Sequence, residues 1–390
     1  MKQYAYVIIG GGQGGDAAVR GIRDLDKKGS IAMICLEPDP PYVRPKLSKD
    51  LWKGKPLETI WCSTESLGVE FFLGRKASAI NTQDRTITDD RGDLYRYDKV
   101  LLATGGTPNR LAFGGDKVIY YRGLQDYRRL RALSRTGRTF LVIGGGFIGS
   151  EIAAALSMAG KSVAMVFPDK GIGWSVYPEG LSRFLTDYYR QKGVEVFTEE
   201  RVVSLEQAGG KLSVHTQAGR VFEVDGVVAG IGIHPDTELA QQAGLAIDNG
   251  IVVDEHLQTS TAGIYAAGDV AAFLHAALAK RVRVEHEDNA VQMGRMAGRN
   301  MAGSHESYTH APMFYSDLFD LGYEAVGELS SKLETIADWK DPYTKGVVYY
   351  MKDGRVRGVL LWNVWDKVSA ARALLGEQGP FTAVDLIGRL

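Results

Sequence analysis

The sequence predicts an α/β fold: two Rossmann-like dinucleotide-binding domains followed by a C-terminal α+β domain. Three observations predict it. Gly10-Gly11-Gly12-Gln13-Gly14-Gly15 follows the apolar run at residues 4–9. Gly144-Gly145-Gly146-Phe147-Ile148-Gly149 follows a second apolar run, residues 139–143. Beyond residue 308 the pattern changes to strand-like runs at 346–351 and 355–362, then helical pieces at 367–375 and 382–387. Both glycine runs fit G-x-G-x-x-G between a β-branched strand and an amphipathic helix. Glycines let the backbone approach a pyrophosphate, and the helix N-terminus offers N–H groups and a positive dipole end. One copy is also what an ordinary tight turn produces; two copies in this context imply two dinucleotides.

The first unit runs from the strand at 4–9 through the glycine turn to a helix at 14–25. Ala18, Ile22 and Leu25 fall on one face of that helix, at steps of four and three. A second strand, 30–36, ends at Glu37, where a carboxylate can accept hydrogen bonds from ribose hydroxyls. A stiff proline-rich turn, 38–45, then leads to Leu47-Ser48-Lys49. Residues 99–108 form a buried strand closed by the turn Ala103-Thr104-Gly105-Gly106-Thr107-Pro108.

The second unit begins at Thr139. Its helix carries Ile148, Ile152, Leu156 and Ala159 on one face, and its second strand spans 162–167. A helix at 178–192 precedes three alternating runs, 202–205, 212–216 and 221–224, which read as antiparallel strands. The strand ending in Gly268-Asp269 and a helix with the small face Ala290, Gly294, Ala297 complete the first unit. The expected domains are 1–115 with 243–305, then 116–242, then 306–390.

A net charge of −1 gives no large field toward nucleic acid or anionic lipid. Two cysteines, Cys35 and Cys62, cannot form a disulfide framework, which suits a reducing compartment. They lack the Cys-x-x-x-x-Cys spacing of a redox disulfide and read as bystanders, Cys35 as a buried thiol. No apolar run is long enough to span a membrane. The first strand starts by Tyr4, leaving no room for a leader, so the expected location is cytoplasmic. His286 has no second histidine or cysteine at ligand spacing, and no metal is expected.

The order of these motifs, with Arg44-Pro45-Lys46-Leu47-Ser48-Lys49 and Val284-Glu285-His286 among them, resembles the FAD-dependent pyridine-nucleotide oxidoreductases that lack a redox disulfide. Within that group the sequence is most similar to the apoptosis-inducing-factor family, and further to the bacterial ferredoxin and rubredoxin reductases. The resemblance implies a glutathione-reductase-like arrangement. It implies that Gly10, Gly12, Gln13, Gly14 and Gly15 hold the FAD pyrophosphate and Glu37 the adenosine ribose. Arg44, Lys49, Ala103, Thr104, Gly105, Arg122, Gly268, Asp269, Glu285, His286 and Trp362 would also line FAD. For NAD(H) it implies Gly144, Gly146, Phe147, Ile148, Gly149, Glu151 and Gly232. Asp169, just beyond the second strand, would face its ribose, although Phe167 stands where an acidic strand end is usual.

The resemblance also places Lys49 and Glu151 beside the flavin N5 as the catalytic pair. On the residues alone, Lys49 reads equally as a solvated lysine, Glu151 as an exposed helix residue and Trp362 as core. The implied activity is hydride transfer from NADH to FAD, then electron delivery to ferredoxin or rubredoxin, quinone or oxygen. The alternative is a redox-responsive flavoprotein whose NADH-reduced charge-transfer state controls dimerisation or partner binding. Implied partners are NADH, a small electron-carrier protein and a second copy of the chain.

Overall fold

The computed structural model describes residues 1–390, the side chain of Ala208 excepted. The chain forms two compact units: 1–45, 57–107 and 234–312 make the first; 46–56, 108–233 and 313–390 make the second.

The first unit is built on a sheet whose parallel strands run Val69–Leu73, Ile31–Cys35, Lys2–Ile9, Leu94–Leu102, Ile264–Ala266. Val7, Ile8 and Ile9 face Ala32, Met33 and Ile34 on one side and Val100, Leu101 and Leu102 on the other. These central runs are apolar throughout because helices and loops cover both faces of a parallel sheet. Ile8 and Ile22 are fully buried, and each such side chain contributes roughly 1.5–3 kcal/mol. A hairpin, Ala77–Asn81 with Thr86–Asp89, extends the sheet antiparallel to the first half of Leu94–Leu102.

The helix Gln13–Leu25 buries Ala18, Val19 and Ile22, but Leu25 is 47% exposed. The buried stripe thus runs through Ala18, Val19 and Ile22 and does not reach Leu25. The second strand stops at Cys35 and leaves Leu36 exposed. The small-residue face of the helix Glu287–Met301 meets the helix Gln13–Leu25 backbone to backbone. A Cβ on Gly294 would lie 2.2 Å from the Gly14 carbonyl oxygen, and one on Gly298 2.1 Å from that of Ala18.

The second unit contains a parallel sheet in the order Val194–Phe197, Ser162–Val166, Thr139–Ile143, Gly226–Ala229, Val118–Tyr120. The three alternating runs form the antiparallel sheet Val202–Ala208, Lys211–Thr216, Val221–Val224. The C-terminal segment of this unit is an antiparallel sheet, Met313–Leu318, Leu321–Gly327, Arg355–Trp362, Lys345–Lys352, Glu334–Asp341, with the helix Val368–Gly376 against it. Among the described residues no helix is long and apolar enough to cross a membrane, and no cluster of three or more His, Cys, Asp or Glu side chains could hold a metal.

Candidate functional site: two glycine cradles and a buried ion pair

The two glycine turns are built to one plan. Gly10 has φ +121°, and a Cβ there would lie 2.1 Å from the Ala103 carbonyl oxygen. Gly144 has φ +117°, and its Cβ would lie 2.3 Å from that of Gly230. Only glycine tolerates both the left-handed backbone and the close approach. The third fingerprint glycines, Gly15 and Gly149, would clash at 2.2 and 2.1 Å with the carbonyl oxygens of Gly10 and Gly144. The middle ones, Gly12 and Gly146, are N-caps without a side-chain cap, and a Cβ on either would meet nothing within 4 Å. Each turn therefore leaves open space at an uncapped helix N-terminus. That shape and polarity fit a pyrophosphate.

In the first unit, Glu37 stands just past its strand, held by Tyr42 and Arg44. The Tyr42 hydroxyl donates to Glu37 at 2.5 Å and the Arg44 guanidinium at 2.7 Å. Arg44 also lies over the Tyr42 ring, 5.1 Å from its centre, and its backbone N–H donates to Gln13 Oε1 at 3.1 Å. Gln13 in turn donates to Glu287 at 2.5 Å. Thr104 donates to the Asp236 carbonyl at 2.9 Å, holding the Ala103-Thr104-Gly105 turn. Arg283 donates to the Asp269 carbonyl at 3.1 Å and pairs with Glu285 at 2.7 Å. His286 is the N-cap of the helix Glu287–Met301. Burial pushes its imidazole down to about 4, against the opposing pull of Asp269 and Asp288, so the ring is neutral at pH 7.

In the second unit, Phe147 and Ile148 open the helix Phe147–Met158 and are each 38% exposed. The Phe167 ring lies under Gly145, where a Cβ would approach within 2.9 Å, so the strand end presents an apolar ring to the turn. Asp169, two residues on, is exposed. Cys35 has the matching position in the first unit, its sulfur 2.5 Å from a Cβ built on Gly11. Burial pushes that thiol up to about 12, which makes it inert at neutral pH.

Lys49 and Glu151 come together from distant segments. The Lys49 ammonium lies 2.7 Å from Glu151 Oε1, and the side chains are only 10% and 5% exposed. Neither is the solvated residue that its type alone would suggest. Ser48 donates to Glu151 Oε2 at 2.6 Å and Ser316 to Oε1 at 2.5 Å. Lys49 also faces the Tyr315 ring at 5.1 Å. Trp362 is fully buried, stacked on Tyr323 at 5.7 Å and edge-on to Tyr177 at 5.7 Å. Gly232 lies at φ +87° beyond the strand Gly226–Ala229, and the Arg122 backbone N–H donates to Asp126 at 3.0 Å.

Sequence reasoning missed Tyr42, Ser48, Tyr315 and Ser316. Ser48 was within reach, being next to Lys49. Ser316 carried no signal, since only the fold brings its strand to the helix of Glu151.

Two βαβ units with open glycine cradles, and no paired thiols, define a flavin- and nicotinamide-dependent oxidoreductase of two dinucleotide sites. The chain belongs to the pyridine nucleotide-disulphide oxidoreductase family, whose model matches residues 4–294. The model of the mitochondrion-associated C-terminal region of apoptosis-inducing factor matches 297–342 and 337–377. The chain is 35% identical to apoptosis-inducing factor 1 of Dictyostelium discoideum, over 96% of this chain and 79% of that protein. It is 32% identical to the ferredoxin–NAD(+) reductase component of the anthranilate 1,2-dioxygenase system of Burkholderia cepacia, over 96% and 95%. Among solved structures, it resembles a chain of the covalent putidaredoxin reductase–putidaredoxin complex with TM-score 0.90 and 29% identity, over 97% of this chain and 94% of that one.

Proposed function

We propose that this chain is an FAD-dependent NADH oxidoreductase that hands electrons to a small ferredoxin-type carrier. The observation that carries the reading is the pair of matching glycine cradles, each an uncapped helix N-terminus with open space beyond its middle glycine. The residues present fit two dinucleotides. In this reading Gly10, Gly12, Gln13, Gly14 and Gly15 hold the FAD pyrophosphate and Glu37 its ribose. Ala103, Thr104, Gly105, Gly268, Asp269, Glu285 and His286 bind the remainder, with Arg44, Lys49, Arg122 and Trp362. Gly144, Gly146, Phe147, Ile148, Gly149 and Gly232 receive NADH, and Asp169 its ribose.

Bound FAD supplies the hydride acceptor. The chain supplies position and charge. Lys49 offers a positive charge against the negative charge that reduction brings. Glu151 neutralises and orients Lys49 at rest. A neutral His286 adds no charge of its own, and the N-terminus of the helix Glu287–Met301 favours negative charge. Electrons leave without a protein dithiol, since both cysteines are free and Cys35 is buried and inert.

The domains at 1–115 with 243–305, 116–242 and 306–390, a cytoplasmic location and a homodimer belong to the same proposal. A steady-state screen of NADH oxidation with ferredoxin, rubredoxin, quinone and oxygen tests it. Fast turnover with one carrier protein is the expected result; uniformly slow oxidation defeats it. The match of residues 297–377 to the apoptosis-inducing-factor C-terminal model favours a second reading, a redox-responsive binding protein. That reading expects slow oxidation together with a change of oligomer on adding NADH.

A further inference from the structure

The Glu151 carboxylate accepts three hydrogen bonds from two separate segments, residues 48–49 and the strand of Ser316. Lys49 and Ser316 share Oε1 at 2.7 and 2.5 Å, and Ser48 takes Oε2 at 2.6 Å. A carboxylate has about four acceptor sites, so one is left, on Oε2. Both serines are buried, 7% and 1% exposed.

Each serine donor is held independently of the carboxylate. The Tyr121 hydroxyl donates to the Leu47 carbonyl at 2.5 Å and receives the Trp52 indole N–H at 3.3 Å, which fixes the segment of Ser48. Ser316 is registered against Tyr323 inside its sheet. The Tyr189 hydroxyl donates to the Ser150 carbonyl at 3.0 Å and pins the helix beside Glu151. Lys49 differs from the serines. Its ammonium sits on a flexible stem, with one face toward the Tyr315 ring.

This asymmetry matters if Lys49 turns toward a negative charge elsewhere. A buried carboxylate that loses its only partner is costly. Glu151 would keep two hydroxyl donors. We propose that Ser48 and Ser316 are positioning residues that hold Glu151 in place and compensated, leaving the Lys49 ammonium able to serve the reduced cofactor. The inference rests on the reading that Lys49 acts at the hydride step.

The test combines a stability cycle with kinetics. Lys49→Met is placed in the wild-type chain and in a Ser48→Ala, Ser316→Val background, and thermal midpoints are measured without NADH. The expected result is a small drop in the wild type. In the serine-less background the same substitution lowers the midpoint further than in the wild type, so the combined loss exceeds the sum of the separate losses. Additive midpoints overturn the inference. If the double background does not fold, Ser316→Val alone carries the same cycle.

In stopped flow with NADH, Ser316→Val should lose about tenfold in reduction rate, as for one hydrogen bond to a charged group, with half-saturation unchanged within about twofold. Ser316→Thr, of equal bulk, should restore the rate. Equal impairment by Thr and Val overturns the inference. Coupled midpoints with wild-type reduction rates in every variant, Lys49→Met included, would keep the clamp and overturn the hydride-step reading instead.

Discussion

Gly10 faces the Ala103 carbonyl so closely that a Cβ would lie 2.1 Å from its oxygen. The same relation recurs between Gly144 and Gly230 at 2.3 Å. Neither carbonyl can move freely, because each follows directly on a central strand of its own parallel sheet. A side chain at either glycine must therefore push its turn out of shape.

The two turns should fail separately. Gly10→Ala should yield protein with little or no FAD. Gly144→Ala should stay yellow but reduce slowly with NADH, with half-saturation raised at least tenfold, or about 1.4 kcal/mol of lost binding. The absorbance ratio of flavin to protein, and reduction rates over a range of NADH, measure both. Loss of FAD in Gly144→Ala with tight NADH reduction in Gly10→Ala would reverse the assignment of the cradles.

NADH should be preferred over NADPH. Asp169 is an exposed carboxylate beyond the strand Ser162–Val166, and its charge opposes a 2′-phosphate. Lys170 lies over the Trp174 ring at 5.8 Å, engaged on a neighbouring aromatic face. Comparing reduction by the two nucleotides gives the preference, and Asp169→Asn should narrow it. Equal use of both by the wild type would remove Asp169 from the site.

Much of this was legible in the sequence. The glycine turns, the parallel strands and the small face of the helix Glu287–Met301 follow from local pattern, because glycine, β-branched runs and small residues at helical spacing each have a steric cause. Element ends were less legible. Leu25 and Leu36 are apolar yet exposed, and nothing local distinguishes them from Ile22 or Ile34. Polar geometry was least legible of all. Glu151 meets Ser48 and Ser316 across more than a hundred residues in each direction, and only the assembled unit makes that contact.

Stability should fall in mild acid through His286. Its ordinary value of 6.5 is lowered to about 4 in the folded chain. The unfolded chain thus takes up the proton first as pH falls. Stability contributed by the neutral ring is complete above about 6.5 and is lost as pH drops toward 4. Between pH 7 and 4.5 this is roughly 2 kcal/mol. Denaturant titrations at the two pH values should show it, and His286→Gln should lose less over the same interval. An identical pH dependence in both proteins would mean that His286 is protonated as easily folded as unfolded.

Lys49 and Glu151 should govern both the rate of reduction and the stability of the fold around them. Their charges are buried and 2.7 Å apart, so removing one partner leaves the other without its counter-charge, at a cost of up to about 3–5 kcal/mol. Lys49→Ala should fall at the lower end, because Ser48 and Ser316 still donate to the carboxylate. It should nonetheless slow reduction by NADH, since the serines carry no positive charge and cannot answer the negative charge that reduction brings. It should also weaken any long-wavelength absorbance in the NADH-reduced protein. Glu151→Ala removes the group that orients the ammonium, and it should slow reduction as well, with Lys49 left against the Tyr315 ring. Stopped-flow spectra and thermal midpoints of both variants separate chemistry from folding. Wild-type rates and spectra in both, with lowered midpoints, would leave the pair as a structural element alone.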